Sequence, residues 1–265
     1  MLGAIVLDDG EIIANRQRVA LHADKWLVVV VAGFQGIDEH GNVTTLGRGG
    51  SDTTAVAMAA ALAADECQIY TDVDGVYTTD PRVVPTARRL DRVTYEEMLE
   101  MASQGAKVLQ TRAVELAMNQ RVRLQVLATF EDLPGTLVVD EDEIVEQQVV
   151  SGIACSRDEA KITLRDVPDK PGIAADIFGA LDNAGVNVDM IVQNISEDNK
   201  TTDLTFTVGE IDVDRAVKAL QQGAKPGEFG EIIADTNVSK ISIVGIGMRS
   251  HGGVARKMFE TLAEK

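Results

Sequence analysis

Residues 47–54 read Gly-Arg-Gly-Gly-Ser-Asp-Thr-Thr, and these residue types in this spacing could bind an anion. Glycines let backbone N–H groups turn toward a ligand, and the unpaired amides of a first helical turn add partial positive charge. Arg48 adds a planar guanidinium that can hold a carboxylate or a phosphate through two hydrogen bonds. The simpler alternative is a helix preceded by a glycine turn. Arg, Gly-Gly, Ser and Asp within six residues favour the ligand site.

The flanking sequence indicates how this segment is positioned. A Val-rich apolar run at residues 26–32 predicts a buried strand, and the alanine-dominated run at 55–64 predicts a helix. Between them, Gly41 and Asn42 mark a hairpin turn. Ser51 or Asp52 is the expected N-cap of the helix.

A second polar segment, Thr-Asp-Val-Asp-Gly-Val-Tyr-Thr-Thr-Asp-Pro-Arg at residues 71–82, follows a short apolar run at 67–70 that predicts a strand. Open α/β sheets bind their ligands at the C-terminal ends of strands, which favours a binding loop here. On composition alone, a solvated loop is an equally good interpretation.

Two helices are predicted after this loop. Thr94 and Glu97 form a capping box that opens a helix through Ser103, and residues 106–118 predict a second helix. Lys107 would lie in the first turn of that second helix, where a cation is unfavourable against the helix dipole. It is therefore either an ordinary surface lysine or a phosphate ligand. Short strands are predicted at 124–128 and 137–139.

The pattern changes beyond residue 150. Strands are predicted at 161–167, 188–195 and 203–208, and helices at 173–184, closed by Gly185, and at 213–222. The order βαββα indicates ferredoxin-like packing. Residues 239–243 and 253–262 then repeat the pattern of 160–164 and 172–181, which makes an internal repeat of about 80 residues. Its second copy stops after one strand and one helix.

Composition narrows the class of protein. A chain of 265 residues has room for about two domains, and 45% apolar residues can build real cores. The net charge of −17 argues against a nucleic-acid partner. Two cysteines, Cys67 and Cys155, are too few for a disulfide framework, and no apolar run is long enough to span a membrane. A cytoplasmic protein without a membrane partner is expected.

Four segments in this order, at residues 33–36, 45–52, 70–82 and 105–109, resemble the aspartate kinases, and the tandem repeat resembles their paired ACT domains. The resemblance covers about residues 26–265. It implies an α/β fold: a partial amino-acid-kinase-type α/β sandwich followed by ferredoxin-like (βαββαβ) ACT repeats. The implied boundaries are 1–140 for the C-terminal part of the kinase domain, 141–152 for a linker, 153–235 for the first ACT repeat and 236–265 for a partial second one.

The resemblance implies transfer of the ATP γ-phosphoryl group to the β-carboxylate of L-aspartate, with Mg²⁺ bridging the nucleotide, at the entry to lysine, threonine and methionine synthesis. No residue of the chain is expected to bind a metal by itself. Arg48 would hold the substrate carboxylate, with Phe34 and Ser51 in the same pocket, and Asp52 would share the catalytic role with Arg48. The implied nucleotide-binding residues are Thr71, Asp72, Tyr77, Asp80, Arg82 and Lys107.

The same resemblance implies feedback regulation by lysine, threonine or both, and a homodimer or larger oligomer assembled through the ACT repeats. The implied effector-binding residues are Asp169, Lys170, Gly172, Ala174, Gln193, Asn194 and Ser196.

The chain departs from the family pattern at two places. The family's Lys-Phe-Gly-Gly-Thr-Ser segment does not precede Trp26, and the second ACT repeat is short. A fragment shortened at both ends, weakly active or inactive, is therefore expected, and residues 1–25 fit the family poorly. The alternative function is a non-catalytic, amino-acid-sensing regulatory subunit of aspartate kinase. Glutamate or uridylate kinase would suit the fold but not the ACT repeats.

Overall fold

The computed structural model describes residues 30–106, 108–144, 149–195, 201–223, 229–249 and 251–264. They divide into two compact units. Unit 1 contains the described residues up to Ala154 and those from Ser242 onward, and unit 2 is Cys155–Ile241. Within the described ranges, no helix has the length and apolar character needed to cross a membrane.

The strands, in chain order, are β1 (Gln35–Ile37), β2 (Val43–Thr45), β3 (Cys67–Thr71), β4 (Arg92–Thr94), β5 (Leu124–Ala128), β6 (Thr136–Val139), β7 (Gly152–Ser156), β8 (Glu159–Pro168), β9 (Val188–Ile195), β10 (Thr201–Gly209), β11 (Ile232–Asp235) and β12 (Lys240–Val244). The α-helices are α1 (Gly50–Leu62), α2 (Tyr95–Ser103), α3 (Thr111–Gln120), α4 (Ile173–Asn183), α5 (Val213–Gly223) and α6 (Val254–Ala263). Short 3-10 turns lie at Glu141–Glu143, Glu210–Asp212 and Ile246–Arg249.

Unit 1 is built on a mixed sheet in the order β3-β5-β6-β4. β3 runs parallel to β5, β5 antiparallel to β6, and β6 parallel to β4. One core joins this sheet to α1, α2 and α3, with Val56, Val93, Met98, Val114 and Leu124 fully buried. The strands predicted at 67–70, 124–128 and 137–139 are confirmed within one residue at each end.

The approach to α1 differs in part from the sequence prediction. Of the strand predicted over 26–32, residues 26–29 lie outside the described residues. Val30 is 74% exposed and belongs to no strand, so the burial expected of a Val-rich run is missing there. The hairpin is confirmed, because β1 and β2 pair antiparallel across a turn in which Gly41 has φ 80°.

The start of α1 corrects a second expectation. The helix begins at Gly50, and its N-cap is Gly49 in the left-handed region at φ 74°, without a side-chain cap. Ser51 and Asp52 are therefore not N-caps but residues of the first turn. The glycine replaces a capping side chain because its positive φ bends the chain directly into the helix.

The capping box of α2 is confirmed, since Thr94 accepts from the Glu97 N–H and Glu97 accepts from the Thr94 N–H. The predicted start of the next helix at residue 106 is wrong, because α3 begins at Thr111. After α2 the Ala106 N–H donates to the Met101 carbonyl, which is the 6→1 hydrogen bond of a Schellman motif around Gly105 at φ 110°. That motif ends one helix and directs the chain away before the next begins.

Unit 2 has an antiparallel sheet in the order β11-β8-β10-β9, with α4 and α5 packed on one core. In the order of its own strands this sheet reads 4-1-3-2, the arrangement of the ferredoxin-like βαββαβ fold. Phe206, Leu164 and Leu181 lie at the centre of the core and are fully buried. The predicted strands and helices of this region are confirmed, including Gly185 at φ 64° after α4. Residues 196–200, predicted as a hairpin loop, lie outside the described residues.

The internal repeat is visible in the backbone at one position of each copy. Gly172 precedes α4 and Gly253 precedes α6, and both are N-caps at φ 95°. Residues from Ser242 onward group with unit 1 rather than with Cys155–Ile241. The domain boundaries set by the sequence stay a prediction.

Candidate active site

The glycine-rich bend before α1 requires glycine for two different reasons. Gly47 and Gly49 have φ 76° and 74°, in the left-handed region that side chains disfavour. Gly50 is restricted by space, because a Cβ there would lie 2.7 Å from Leu46 Cβ and 3.1 Å from Phe34 Cδ2. The Gly50 N–H donates to the Gly47 carbonyl at 3.0 Å, which closes the bend.

Phe34 lies against this bend in a strained conformation. Its φ is 68°, rare for a bulky residue, and its N–H donates to Thr54 Oγ1 on α1 at 3.2 Å. Phe34 is 41% exposed although its ring packs beside Gly50. Backbone strain of this kind concentrates at ligand sites. The structure thus brings Phe34 to the start of α1, where Ser51 lies.

Arg48, Ser51 and Asp52 occupy the bend and the first turn of α1. Arg48 and Ser51 are exposed, and no described residue makes a hydrogen bond or ion pair with the Arg48 guanidinium. Asp52 is half-buried, and this burial raises the pKa of its carboxyl above the usual value. Among the described residues, this segment therefore carries an unpaired cation at Arg48 and a partly desolvated carboxylate at Asp52.

The loop at 71–82 is held by pairs formed within it. The Thr71 hydroxyl donates to Asp72 at 3.1 Å, and the Tyr77 hydroxyl donates to Asp74 at 3.0 Å. Burial and the bond to Asp74 raise the pKa of Tyr77.

At the far end of the loop, Arg82 forms an ion pair with Asp80 at 2.8 Å and holds the pKa of that carboxyl below its usual value. Arg82, one of the residues implied to bind the nucleotide, is therefore already paired with Asp80. A nucleotide phosphate would have to share Arg82 with Asp80 or displace that carboxylate.

Hydrogen bonds close the same loop into a hairpin and fix it to the sheet through a threonine side chain. The Leu90 N–H donates to the Val76 carbonyl at 2.8 Å, and the Thr78 N–H donates to the Arg88 carbonyl at 2.8 Å. Buried Thr136 of β6 accepts from the Val76 N–H at 2.8 Å. The segment is thus a hydrogen-bonded hairpin that is fixed to the sheet at Thr136.

The positions named for substrate and for nucleotide are not joined directly. In the part of the chain that the structure describes, no hydrogen bond or ion pair links Phe34, Arg48, Ser51 or Asp52 to the loop at 71–82. Lys107 lies outside the described residues, so its position in the site stays a prediction.

Two residues at the start of α3 contact the bend, and the sequence reading did not select them. Arg112 donates to the carbonyls of Leu46 at 2.8 Å and Arg48 at 3.1 Å, and Gln110 packs against Gly49. A signal existed, because a cation in a first helical turn is unfavourable. With the helix placed too early, Arg112 did not lie in the first turn.

In unit 2, the effector positions lie at one end of the sheet. Asp169 and Lys170 follow β8, and Gly172 caps α4. Gln193 and Asn194 are near the end of β9. Both strand ends flank the start of β10, where Thr201 pairs with Pro168 and Thr202 with Ile195.

The effector residues that the structure describes are all exposed: Asp169, Lys170, Gly172, Ala174, Gln193 and Asn194. Ser196 lies outside the described residues. Across the described ranges, no group of three or more His, Cys, Asp or Glu side chains could hold a metal ion.

Family comparisons cover most of the chain. Residues 6–128 match the model described as the amino acid kinase family, and residues 162–222 and 241–265 each match a model described as an ACT domain. The two ACT matches agree with the internal repeat.

Individual relatives agree with this assignment. An aspartate kinase of Pseudomonas fluorescens (strain SBW25) is 64% identical over 239 residues, which are 90% of this chain and 58% of the relative. The structure of E. coli aspartokinase III in complex with aspartate and ADP has a TM-score of 0.75 and 28% identity, over 95% of this chain and 57% of that one. The structure of the same enzyme in complex with lysine and aspartate has a TM-score of 0.72 and 29% identity, over 95% of this chain and 56% of that one. The chain spans about three fifths of the length of these curated relatives.

Proposed function

Because this chain belongs to the aspartate kinases within the amino acid kinase family, we propose that it carries the aspartate-binding and nucleotide-binding elements of a carboxylate phosphotransferase. The proposed reaction transfers the γ-phosphoryl group of ATP to the β-carboxylate of L-aspartate. The observation that supports it most is the exposed Arg48, whose guanidinium is unpaired among the described residues, on a glycine bend that opens a helix and has Phe34 packed against Gly50.

Arg48 is proposed to hold a carboxylate of aspartate. Its guanidinium is free among the described residues and can offer two parallel N–H donors, the geometry that a carboxylate accepts best. The amides of the first turn of α1 add positive potential at the same place. Phe34 and Ser51 would line the pocket, one with apolar surface and one with a hydroxyl.

The proposed nucleotide site is the hairpin that begins at Thr71. Its position at the C-terminal end of β3 is the usual ligand edge of an α/β sheet. The contributing residues would be Thr71, Asp72, Tyr77, Asp80, Arg82 and Lys107. Mg²⁺ would enter with the nucleotide, because this ion binds mainly through phosphates and water and needs few protein ligands.

The acceptor needs no general base, since a carboxylate is already ionised at neutral pH. Catalysis would therefore consist of positioning the two substrates and neutralising charge on the transferred group. Asp52, close to the bend and partly desolvated, is proposed to orient a cationic group beside the phosphoryl group.

Unit 2 is proposed to bind an amino-acid effector, lysine or threonine. This is supported by its ferredoxin-like topology, by the ACT match over residues 162–222, and by the lysine complex of E. coli aspartokinase III. Asp169 could hold an ammonium group, and the amides that follow Gly172 at the start of α4 could hold a carboxylate.

The test is aspartyl phosphate formation trapped as the hydroxamate, combined with calorimetry of ATP·Mg²⁺, L-aspartate, lysine and threonine on the same chain. We expect binding of ATP and aspartate, and loss of aspartate binding in Arg48→Ala. Because the chain is expected to be weakly active or inactive, hydroxamate formation should be weak at most and should depend on both substrates. Binding of lysine or threonine without ATP or aspartate would replace this proposal with the regulatory-subunit alternative.

A further inference from the structure

The start of α3 contacts the glycine bend through two side chains of different chemistry. One Arg112 nitrogen, Nη2, donates to two carbonyls of the bend, at 2.8 Å to Leu46 and 3.1 Å to Arg48. These carbonyls lie on either side of Gly47, whose φ of 76° turns the chain. The guanidinium therefore holds both arms of the turn at once.

Gln110 contacts the next part of the bend by packing. A Cβ added to Gly49 would lie 1.8 Å from Gln110 Cγ, so the glutamine side chain lies directly over that glycine. Gly49 is the N-cap of α1, and Gln110 is the N-cap of α3. The starts of the two helices are thus packed together at their N-cap residues, in addition to the hydrogen bonds of Arg112.

The position of Arg112 is costly unless it serves this contact. It is the second residue of α3, where the helix dipole disfavours a cation, and no acidic residue lies in the first turn to offset it. The two carbonyl oxygens of the bend carry partial negative charge and face the Arg112 guanidinium. They offset its positive charge in place of an acidic side chain.

We propose that Arg112, assisted by Gln110, is a positioning residue that fixes the backbone of the bend so that the Arg48 guanidinium is directed at the substrate carboxylate. The proposal rests on the proposed function, because it needs Arg48 to bind substrate. Arg112 itself does not touch the substrate. Arg112 matters because a small error in the position of the Arg48 guanidinium would steeply lower the strength of its contact with the substrate.

The first experiment measures ligand affinity by calorimetry, with L-aspartate and ADP·Mg²⁺ titrated separately into the chain. Arg112→Ala is expected to weaken aspartate binding by about tenfold. This is the factor for losing one hydrogen bond between a misplaced Arg48 guanidinium and the substrate carboxylate. Arg112→Lys should recover part of this loss, since an ammonium can reach one carbonyl but lacks the planar fork. ADP binding should stay the same in both variants.

Arg92→Ala is the matched control. Arg92 also donates from a guanidinium to a backbone carbonyl, that of Glu143 at 3.1 Å, but at β4 and outside the bend. This variant should bind both ligands as the unsubstituted chain does. Equal weakening of aspartate and ADP in Arg112→Ala, or the same loss of aspartate affinity in Arg92→Ala, would overturn the proposal.

The second experiment needs no ligand. Hydrogen exchange of the amides at residues 47–51 should be faster in Arg112→Ala and unchanged in Arg92→Ala. Unchanged exchange in Arg112→Ala would overturn the positioning role even if aspartate binds. If the unsubstituted chain binds no aspartate, the proposed function fails, while the exchange measurement still decides whether Arg112 holds the bend.

Discussion

The backbone and the side-chain head group of Arg48 have different surroundings, and this difference indicates what each of them does. Its carbonyl accepts from Arg112 at 3.1 Å, whereas its guanidinium has no partner among the described residues. A side chain with a fixed backbone and a free head group is suited to binding an external anion. An arginine used only to stabilise the fold would be expected to have its charge paired.

Arg48→Lys tests whether the head group binds the substrate. A lysine replaces two parallel donors by one point charge, so we expect aspartate binding to weaken by ~1–3 kcal/mol and nucleotide binding to change little. Calorimetry with each ligand provides the comparison, and Arg92→Lys serves as the control. If both affinities fall together, Arg48 maintains the bend rather than binding aspartate.

Asp52→Asn tests the effect of burial on the carboxylate. Because burial raises the pKa of Asp52 in the folded chain, the ionised form lowers stability at neutral pH. We expect the amide variant to be more stable than the unsubstituted chain at pH 7. The difference should shrink as the pH falls through the raised pKa toward the unfolded value, since the folded chain then gains a proton. Urea unfolding at several pH values measures this difference in the free energy of unfolding between the two chains. A difference that does not depend on pH would contradict this explanation.

At the scale of elements, the start of α1 depends on Gly49 both for its backbone angle and for the space that Gln110 occupies. Gly49→Ala should therefore lower stability by more than the ~1–2 kcal/mol of left-handed strain alone. Gly41→Ala is the control, because Gly41 has φ 80° but nothing within 4 Å of an added Cβ. Adding Gln110→Ala should restore only part of the steric loss, because the Cβ of residue 110 would still lie 2.6 Å from the added Cβ, whereas Gln110→Gly should restore all of it. Equal losses for the two glycines in urea unfolding would show that the contact with Gln110 is unimportant.

The sequence predicted those elements whose determinants are local. The capping box of α2 needs only Thr94 and Glu97, three positions apart, and the hairpin needs only a turn around Gly41. It misplaced the start of α3, because the Schellman motif after α2 depends on a backbone angle at Gly105 that composition does not fix. The hydrogen bond from Arg112 to Leu46 spans 66 positions. A local pattern does not contain such a distant pairing. The local signal for Arg112, a cation in a first helical turn, was lost because the start of α3 was placed too early.

At the scale of the whole molecule, Glu97 joins three parts of unit 1 that are far apart in sequence. Its carboxylate is buried and accepts from the Thr94 N–H at 3.3 Å, the Ser151 hydroxyl at 2.5 Å and the Ile246 N–H at 3.0 Å. The capping box was predicted, but the two distant donors were not. Glu97 therefore links the kinase-type part of the chain to the segment that carries the second ACT match.

Glu97→Gln should weaken this junction, because an amide nitrogen replaces one of the two accepting oxygens and faces a donor. We expect a loss of about 1–3 kcal/mol in the free energy of unfolding and faster hydrogen exchange at the Ile246 amide. Glu96→Gln, at the exposed neighbouring position, is the control. Stability equal to that of the control would mean that the junction contributes nothing.

Both units also present apolar surface to solvent. In unit 2, β9 is an edge of the described sheet and exposes Met190, Ile191 and Val192. In unit 1, α6 exposes Phe259 and Leu262 and has no buried residue. An edge strand with unpaired backbone groups and apolar side chains favours pairing with another chain, and exposed apolar patches mark interfaces.

We therefore predict that the chain self-associates and that sedimentation velocity shows a concentration-dependent rise in mass. Met190→Lys with Val192→Lys should weaken association if it occurs at the β9 edge, because a charge on an edge strand opposes pairing. Phe259→Lys should weaken it if α6 is the contact, since burial of a phenylalanine contributes about 1.5–3 kcal/mol. Ile211→Lys is the control, because Ile211 is 94% exposed and belongs to a 3-10 turn rather than to β9 or α6. A monomer at every concentration would rule out both contacts. An equal effect of Ile211→Lys would instead show that added charge, rather than either surface, controls association.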